Sequence, residues 1–197
     1  MPVAGSERAV NRSVIRVGEL GVVVALLAMA ATMLVLPPVR AATPYEAQIG
    51  GFMTATLQTL ITGEFAGRSP SNADAALDRP ICRPSDYDDL RAAANDRAAF
   101  DAFRRRCKLV EGKLDGTHVH STAYLPPGYC ERLKAAFEKV LAERIYAEPA
   151  SPTPDMIIEY KGSQFRTTGR QLARGARMEA TCQDDGALRV SAPRKRP

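Results

Sequence analysis

Four cysteines, Cys82, Cys107, Cys130 and Cys182, all lie C-terminal to a long apolar run, and these two features constrain the fold more than anything else in the chain. The run, LGVVVALLAMAATMLVL from Leu20 to Leu36, follows Arg8, Arg12 and Arg16 and precedes Pro37-Pro38 and Val39-Arg40-Ala41. A basic start, an apolar stretch and small or tolerated residues at minus three and minus one of a cut before Ala42 are the layout of a secretory signal. The run's seventeen residues also sit at the lower edge of what spans a bilayer, about 17–25. An uncleaved anchor is therefore the competing expectation. Either arrangement places the remainder outside the cytoplasm, periplasmic or secreted, because basic residues before an apolar run stay inside.

In an oxidising compartment an even set of cysteines is expected to pair. Four cysteines allow three connectivities. Cys82–Cys107 with Cys130–Cys182, and Cys107–Cys130 with Cys82–Cys182, are two that the spacing leaves equally open. Closing loops of roughly 25 to 100 residues contributes on the order of 3 to 4.7 kcal/mol each in the chain-entropy model. The residues beyond 41 are enough for one domain with a real core, so two such crosslinks are a large share of its stability.

Apolar spacing then predicts helices. Ile49, Phe52, Met53, Leu57, Leu60 and Ile61 follow the i, i+3, i+4 pattern of one helical face, with Gly63 as the stop. A polar stretch, GRSPSNADAALDRP, reads as a loop. Ser85 with Asp88 marks the start of a short helix, and Asn95 or Asp96 caps a second one, DRAAFDAFRRRCKLVEG, that ends at Gly112 or Gly116. The strongest pattern is YCERLKAAFEKVLAERIYAE, with Cys130, Leu133, Phe137, Val140, Leu141 and Ile145 on one face. Beyond the stiff segment PASPTP, the period changes. MIIEY, QFRTT, RMEATC and ALRVSA are short and alternating, separated by the turn signals Lys161-Gly162, Gly169, Gly175 and Asp185-Gly186. The predicted fold class is mainly α: a small helical domain stapled by two disulfides, with a short C-terminal antiparallel β element. Its parts are a signal peptide or anchor over 1–41, helices over 42–148, a Pro-rich linker over 149–154, the β element over 155–192 and a basic tail over 193–197.

The net charge of +5 falls to about +3 once Arg8, Arg12, Arg16 and Arg40 are set against Glu7 and Glu19, and the tail Arg194, Lys195 and Arg196 accounts for that. A balanced body is not the basic face that nucleic acid demands, so no nucleic-acid partner is expected.

Chemistry-bearing residues gather in GTHVHSTAYLPPGYC, which holds both histidines. His118 and His120 alternate around Val119, so in an extended segment their rings point the same way, as two metal ligands on a strand do. Two ligands do not make a site, and a third would have to be a carboxylate such as Asp115 or Glu111, or a thiolate that the expected disulfides already claim. The stretch reads as the connector between two amphipathic helices, with its histidines placed to touch a partner or water; no metal is expected. Ser121 beside His120 lacks the strained elbow of a nucleophilic serine. Asp86, Asp88 and Asp89 lack the alternation and closing Glu of a calcium loop and read as a helix start. Glu64, Glu111 and Asp115 are the acids from which a hydrolase pair could be drawn. Arg104, Arg105 and Arg106 end a helix, where cations suit the dipole and can also meet an anionic partner. The sequence shows no phosphate loop, dinucleotide fingerprint or haem motif, and no catalytic residue or cofactor is expected.

Around the histidines, Cys107-Lys-Leu-Val-Glu-Gly112-Lys-Leu-Asp115-Gly116 is followed by Cys130 with Leu133, Phe137, Val140 and Leu141. This order, over about a third of the chain beyond 41, resembles the periplasmic immunity proteins that neutralise type VI secretion amidase effectors. The resemblance implies a small, exported, largely helical, disulfide-bonded binder that occludes a toxic enzyme and has no catalytic residues. The expected function is thus non-enzymatic binding of an envelope protein, with His118, His120, Arg104, Arg105 and Arg106 as candidate contacts. An envelope hydrolase, or an accessory subunit of a secretion or adhesion apparatus held to the membrane by an uncleaved segment, are the alternatives.

Overall fold

The computed structural model describes residues 41–69, 79–147, 156–167 and 170–195. The expected signal segment and the Pro149–Pro154 linker lie outside the described residues, apart from Ala41.

One helix organises the rest. α1 (Pro44–Ala66) opens with Thr43 and Glu46 exchanging hydrogen bonds across its first turn: the Glu46 N–H donates to Thr43 Oγ1 and the Thr43 N–H to Glu46 Oε2. This reciprocal cap, with Pro44 in the first turn, satisfies donors that a helix start leaves open. The expected apolar face is present, but α1 is buried on more than that face, because Thr56, Thr59, Thr62 and Gly63 are buried as well. The three threonine hydroxyls donate to the carbonyls of Phe52, Ala55 and Gln58, four residues back, at 2.8, 2.8 and 2.7 Å. That bonding lets hydroxyls enter a core without an orphaned donor. Gly63 does not stop the helix. It lies where a two-stranded hairpin comes closest, and a Cβ there would collide with the carbonyl oxygen of Tyr160. The stop is Gly67, left-handed at φ 58°, a conformation that glycine adopts without steric cost.

The expectation of a mainly helical domain is corrected by the sheets. β1 (Glu111–Leu114), β2 (His118–Tyr124), β5 (Glu179–Cys182) and β6 (Ala187–Pro193) form a four-stranded antiparallel sheet in the order β1-β2-β6-β5, and β3 (Met156–Tyr160) pairs with β4 (Ser163–Thr167) as a separate hairpin. The architecture is α+β. Two strands occupy what reads as helix end and connector: KLVEGKL continues past Cys107 as extended chain, and HVHSTAY is the second strand of the sheet. Their patterns are weak for physical reasons. β1 is a short edge strand with little burial, and β2 presents Val119, Ser121 and Ala123 inward, only one of them strongly apolar. What holds β2 is pairing over its full length with β6, seventy residues on, from His118↔Pro193 to Tyr124↔Ala187.

The inner face of this sheet, with Leu188, Val190, Ala192 and Ala180 beside the β2 residues, joins the core built on α1. Thr54 of α1 and Ser121 of β2 share a 2.9 Å hydrogen bond across it.

The remaining helices follow the sequence more closely. α2 (Asp86–Ala92) runs into a 3₁₀ turn, Ala93–Asn95, and Asp96 caps α3 (Arg97–Arg106) by accepting from the Ala98 and Ala99 N–H groups. Ser85 does not cap α2: its backbone is helical and its side chain makes no cap bond. α4 (Cys130–Val140) continues as a π-turn, Leu141–Tyr146, carrying Leu133, Phe137, Leu141 and Ile145 into the core. A short helix that the sequence does not announce, α5 (Arg170–Gly175), follows β4.

The disulfides are Cys82–Cys107 and Cys130–Cys182. The first is flanked by a bridge between Ile81 and Lys108; the second ties the start of α4 to the end of β5.

Candidate functional site

The outward face of the four-stranded sheet is where the histidines sit. Alternation puts His118, His120, Thr122 and Tyr124 of β2 on it, all half-buried. The register adds Lys113 and Glu111 from β1, and Arg189 and Ser191 from β6.

Asp115, in the turn between β1 and β2, organises this face. Its Oδ1 accepts from the N–H groups of Thr117 (2.7 Å) and His118 (2.6 Å) and from the Thr117 hydroxyl (3.1 Å), while Oδ2 accepts from His120 Nε2 at 2.5 Å. The short side chain thereby closes the turn on its own backbone. The His120 hydrogen bond, then the Thr117 and His118 amides, hold the Asp115 carboxyl far below the usual carboxylate range. His118 Nδ1 lies 2.8 Å from the Thr117 hydroxyl, and the two imidazole rings stack with centroids 5.7 Å apart. A carboxylate acceptor requires a proton on His120 Nε2. His120 Nδ1 faces the protein, buried and with no hydrogen-bond partner among the described residues.

This geometry answers the chemical possibilities in the sequence. The two rings do share a face, as alternation predicts, but on a strand of the sheet and not on a helix connector. His120 and Ser121 point to opposite faces, Ser121 being fully buried against Thr54, so they form no dyad. Among the described residues one group of three potential ligands converges, Cys82, Asp86 and Cys107, and its two sulfurs are joined in a disulfide. Asp115 and the histidines do not converge in that way.

The three candidate acids separate. Glu64, near the end of α1, has a side chain only 3% exposed and meets Arg132 (2.7 Å), Lys161 (2.5 Å) and the Tyr160 hydroxyl (2.9 Å). Burial pushes its carboxyl up, but hydrogen bonds from Lys161, Arg132 and Tyr160 outweigh this and leave it below its ordinary value. Nothing local in the sequence joins these residues; α1, α4 and the β3–β4 turn bring them together. Glu111 and Asp115 do line one hollow, of about 210 Å³, with Lys113, His120, Thr122, Tyr124 and Arg189. Asp115, ionised and hydrogen-bonded at both oxygens, is no general acid. Asp86, Asp88 and Asp89 mark the start of α2, as read, with Asp88 bonded to Arg91 and Asp89 to Arg106.

The three arginines do not converge. Arg104 lies half-buried over the Phe100 ring, where burial pushes its guanidinium down. Arg105 is exposed, and Arg106 pairs with Asp89 at 2.8 Å. The sequence did not single out Arg91 and Arg132, which stack on Tyr129 at 5.3 and 5.0 Å. A second hollow, about 410 Å³, lies between α4, the π-turn and β3.

No helix among the described residues is long and apolar enough to cross a membrane. The two disulfides are compatible with an oxidising compartment outside the cytoplasm. No family model, no curated protein and no solved structure matches this chain.

Proposed function

We propose that this chain is an exported binding protein of the immunity-like, inhibitory kind, which engages an envelope protein through the outward face of its four-stranded sheet. The observation that supports the reading is a single asymmetry. α1 and the core cover the inner face, whereas the outer one presents half-buried His118, His120, Thr122 and Tyr124 on a strand fixed from both sides. An antiparallel sheet with one packed face presents the other as a platform, and Cys130–Cys182 braces its far strand. The acids that would suit a hydrolase are instead committed: Glu64 to two cations and a tyrosine, Asp115 to its own turn and His120.

The test is affinity capture from envelope extracts with the full chain, identification of the partner, and hydrogen exchange of the purified complex. Protection of the β2 and β6 amides on complex formation supports the reading. Absence of a stoichiometric partner, or protection confined to α3 and the β3–β4 hairpin, refutes it.

A further inference from the structure

The His120 ring sits between a carboxylate and a wall. Its Nε2 lies 2.5 Å from Asp115 Oδ2, while Nδ1 is buried with no hydrogen-bond partner among the described residues. The side chain is 17% exposed and that of Asp115 46%. A neutral ring with its proton on Nε2 fits this position, because the inward Nδ1 is then a bare acceptor. Protonation makes both ring nitrogens donors. Asp115 receives one of them, and the other points into the protein with no acceptor among the described residues.

Two effects compete at that point. The Asp115 carboxylate favours the charged ring, but an ion pair open to solvent gains little. A buried N–H on a charged group that gives up water and finds no acceptor costs more. The other charges around the ring do not reverse this. His118 stacks on it with centroids 5.7 Å apart, Lys113 is its register neighbour on β1, and Arg189 lines the hollow beside it. Against these cations stand Glu111, which lines the hollow with Tyr124, and Glu179 of β5, which lies across Ser191 of β6 from His120. Lys113 and Arg189 are offset by the two glutamates, so the unmatched Nδ1–H decides. From this we propose that His120 is a proton-operated latch of the outer face: neutral, its ring lies against the sheet beside Asp115; protonated, it swings out to water, where both N–H groups are hydrated.

The turn does not follow the ring. Asp115 Oδ1 still accepts from the Thr117 and His118 amides, and Arg194 still donates to the Asp115 carbonyl. Acid therefore opens one wall of the hollow and adds positive charge to the face without unfolding the hairpin. The latch does not depend on the binding-protein reading; it adds a pH control to the face which that reading uses.

The experiment is an NMR titration of the full chain from about pH 8 to about pH 5, across the ordinary imidazole range. It follows the His120 ring nitrogens, the ring's contacts to Lys113 and Ser191, and amide exchange at Thr117 and His118. A repeat with His118→Gln leaves His120 as the sole imidazole of the chain. As His120 gains its second proton, the population with the ring against the sheet should fall at least about tenfold, in line with the cost of one unmatched buried N–H. Exchange at Thr117 and His118 should stay within about twofold over the same range, and His118→Gln should keep the response. A ring that takes its second proton and retains its contacts to Lys113 and Ser191 overturns the latch, as does a ring that stays neutral until the chain unfolds. Release of the Thr117 and His118 amides together with the ring also overturns it, since the whole turn would then be responding. So does loss of the response in a folded His118→Gln, which would make repulsion between the rings the cause. Should that variant not fold, the titration of the parent chain decides alone.

Discussion

The Glu46 carboxylate and the Arg194 guanidinium, 148 positions apart in the chain, meet through two hydrogen bonds, Nε to Oε1 at 2.7 Å and Nη2 to Oε2 at 3.3 Å. Arg194 also donates from Nη1 to the Asp115 carbonyl and from its backbone to the Thr117 carbonyl. One side chain thus joins the start of α1, the turn of the histidine hairpin and the end of β6. The sequence assigned this arginine to a basic tail; in the folded chain its side chain is only 12% exposed.

The hydrogen bond from Arg194, then the Thr43 amide, pulls the Glu46 carboxyl from its ordinary 4.5 down to about 2. A carboxyl depressed in the folded state contributes stability that is fully present above its unfolded pKa and is lost as pH falls through the folded one. Urea unfolding should therefore show stability declining from about pH 4.5 toward pH 2. Arg194→Gln should flatten that decline and lower Tm at neutral pH by roughly 10 °C, because a buried carboxylate is left without its partner. An unchanged acid limb in Arg194→Gln would show that the pair is not the source.

Two glycines of α1 should respond in opposite directions to alanine. At Gly51 a methyl group meets nothing within 4 Å, so Gly51→Ala should stabilise by about 0.8–1 kcal/mol through helix propensity. At Gly63 the same methyl strikes the Tyr160 backbone, and Gly63→Ala should cost about 1–3 kcal/mol as the β3–β4 hairpin is pushed off the helix. Denaturant midpoints of the two variants, compared at equal slope, check both signs.

Non-reducing peptide mapping should recover Cys82–Cys107 and Cys130–Cys182 and no other pairing. Their loops span 25 and 52 residues, so replacing each pair with serines should cost about 3.5 and about 4 kcal/mol in the chain-entropy model. Recovery of Cys107–Cys130 would contradict the fold, since those residues flank the hairpin on different partners.

In its neutral form, His120 should carry its proton on Nε2, because Asp115 accepts there while Nδ1 faces the interior. Long-range nitrogen–proton correlation spectra distinguish the tautomers. Asp115→Ala should abolish the preference and speed amide exchange at Thr117 and His118, whose N–H groups lose their acceptor. An Nδ1–H tautomer in the parent protein would refute the arrangement.

Legibility in the sequence tracks how local the cause is. α1, α4 and the Lys161-Gly162 turn were readable because neighbours a few residues apart create them. At the turn, positive φ values of 45° and 81° suit a tight hairpin. β1 and β2 were not readable, because their stabilising partners are β6 and the underside of α1, and their own residues carry only a faint alternation. The same holds for the candidate face. That His118 and His120 share a side follows from the strand period alone. Their company with Lys113 and Arg189 does not, nor does the separation of Ser121 from His120 by the plane of the sheet.

By itself the sequence determined the pairing of cysteines as a class, the existence of the main helices and the alternation of the histidines. Each depends on composition or on spacing of a few residues. Tertiary structure alone decided which cysteines join, that the histidine stretch is a strand, and that Glu46 finds Arg194. These depend on which distant segments can bury surface and satisfy backbone groups together, a choice made only when the whole core closes around α1.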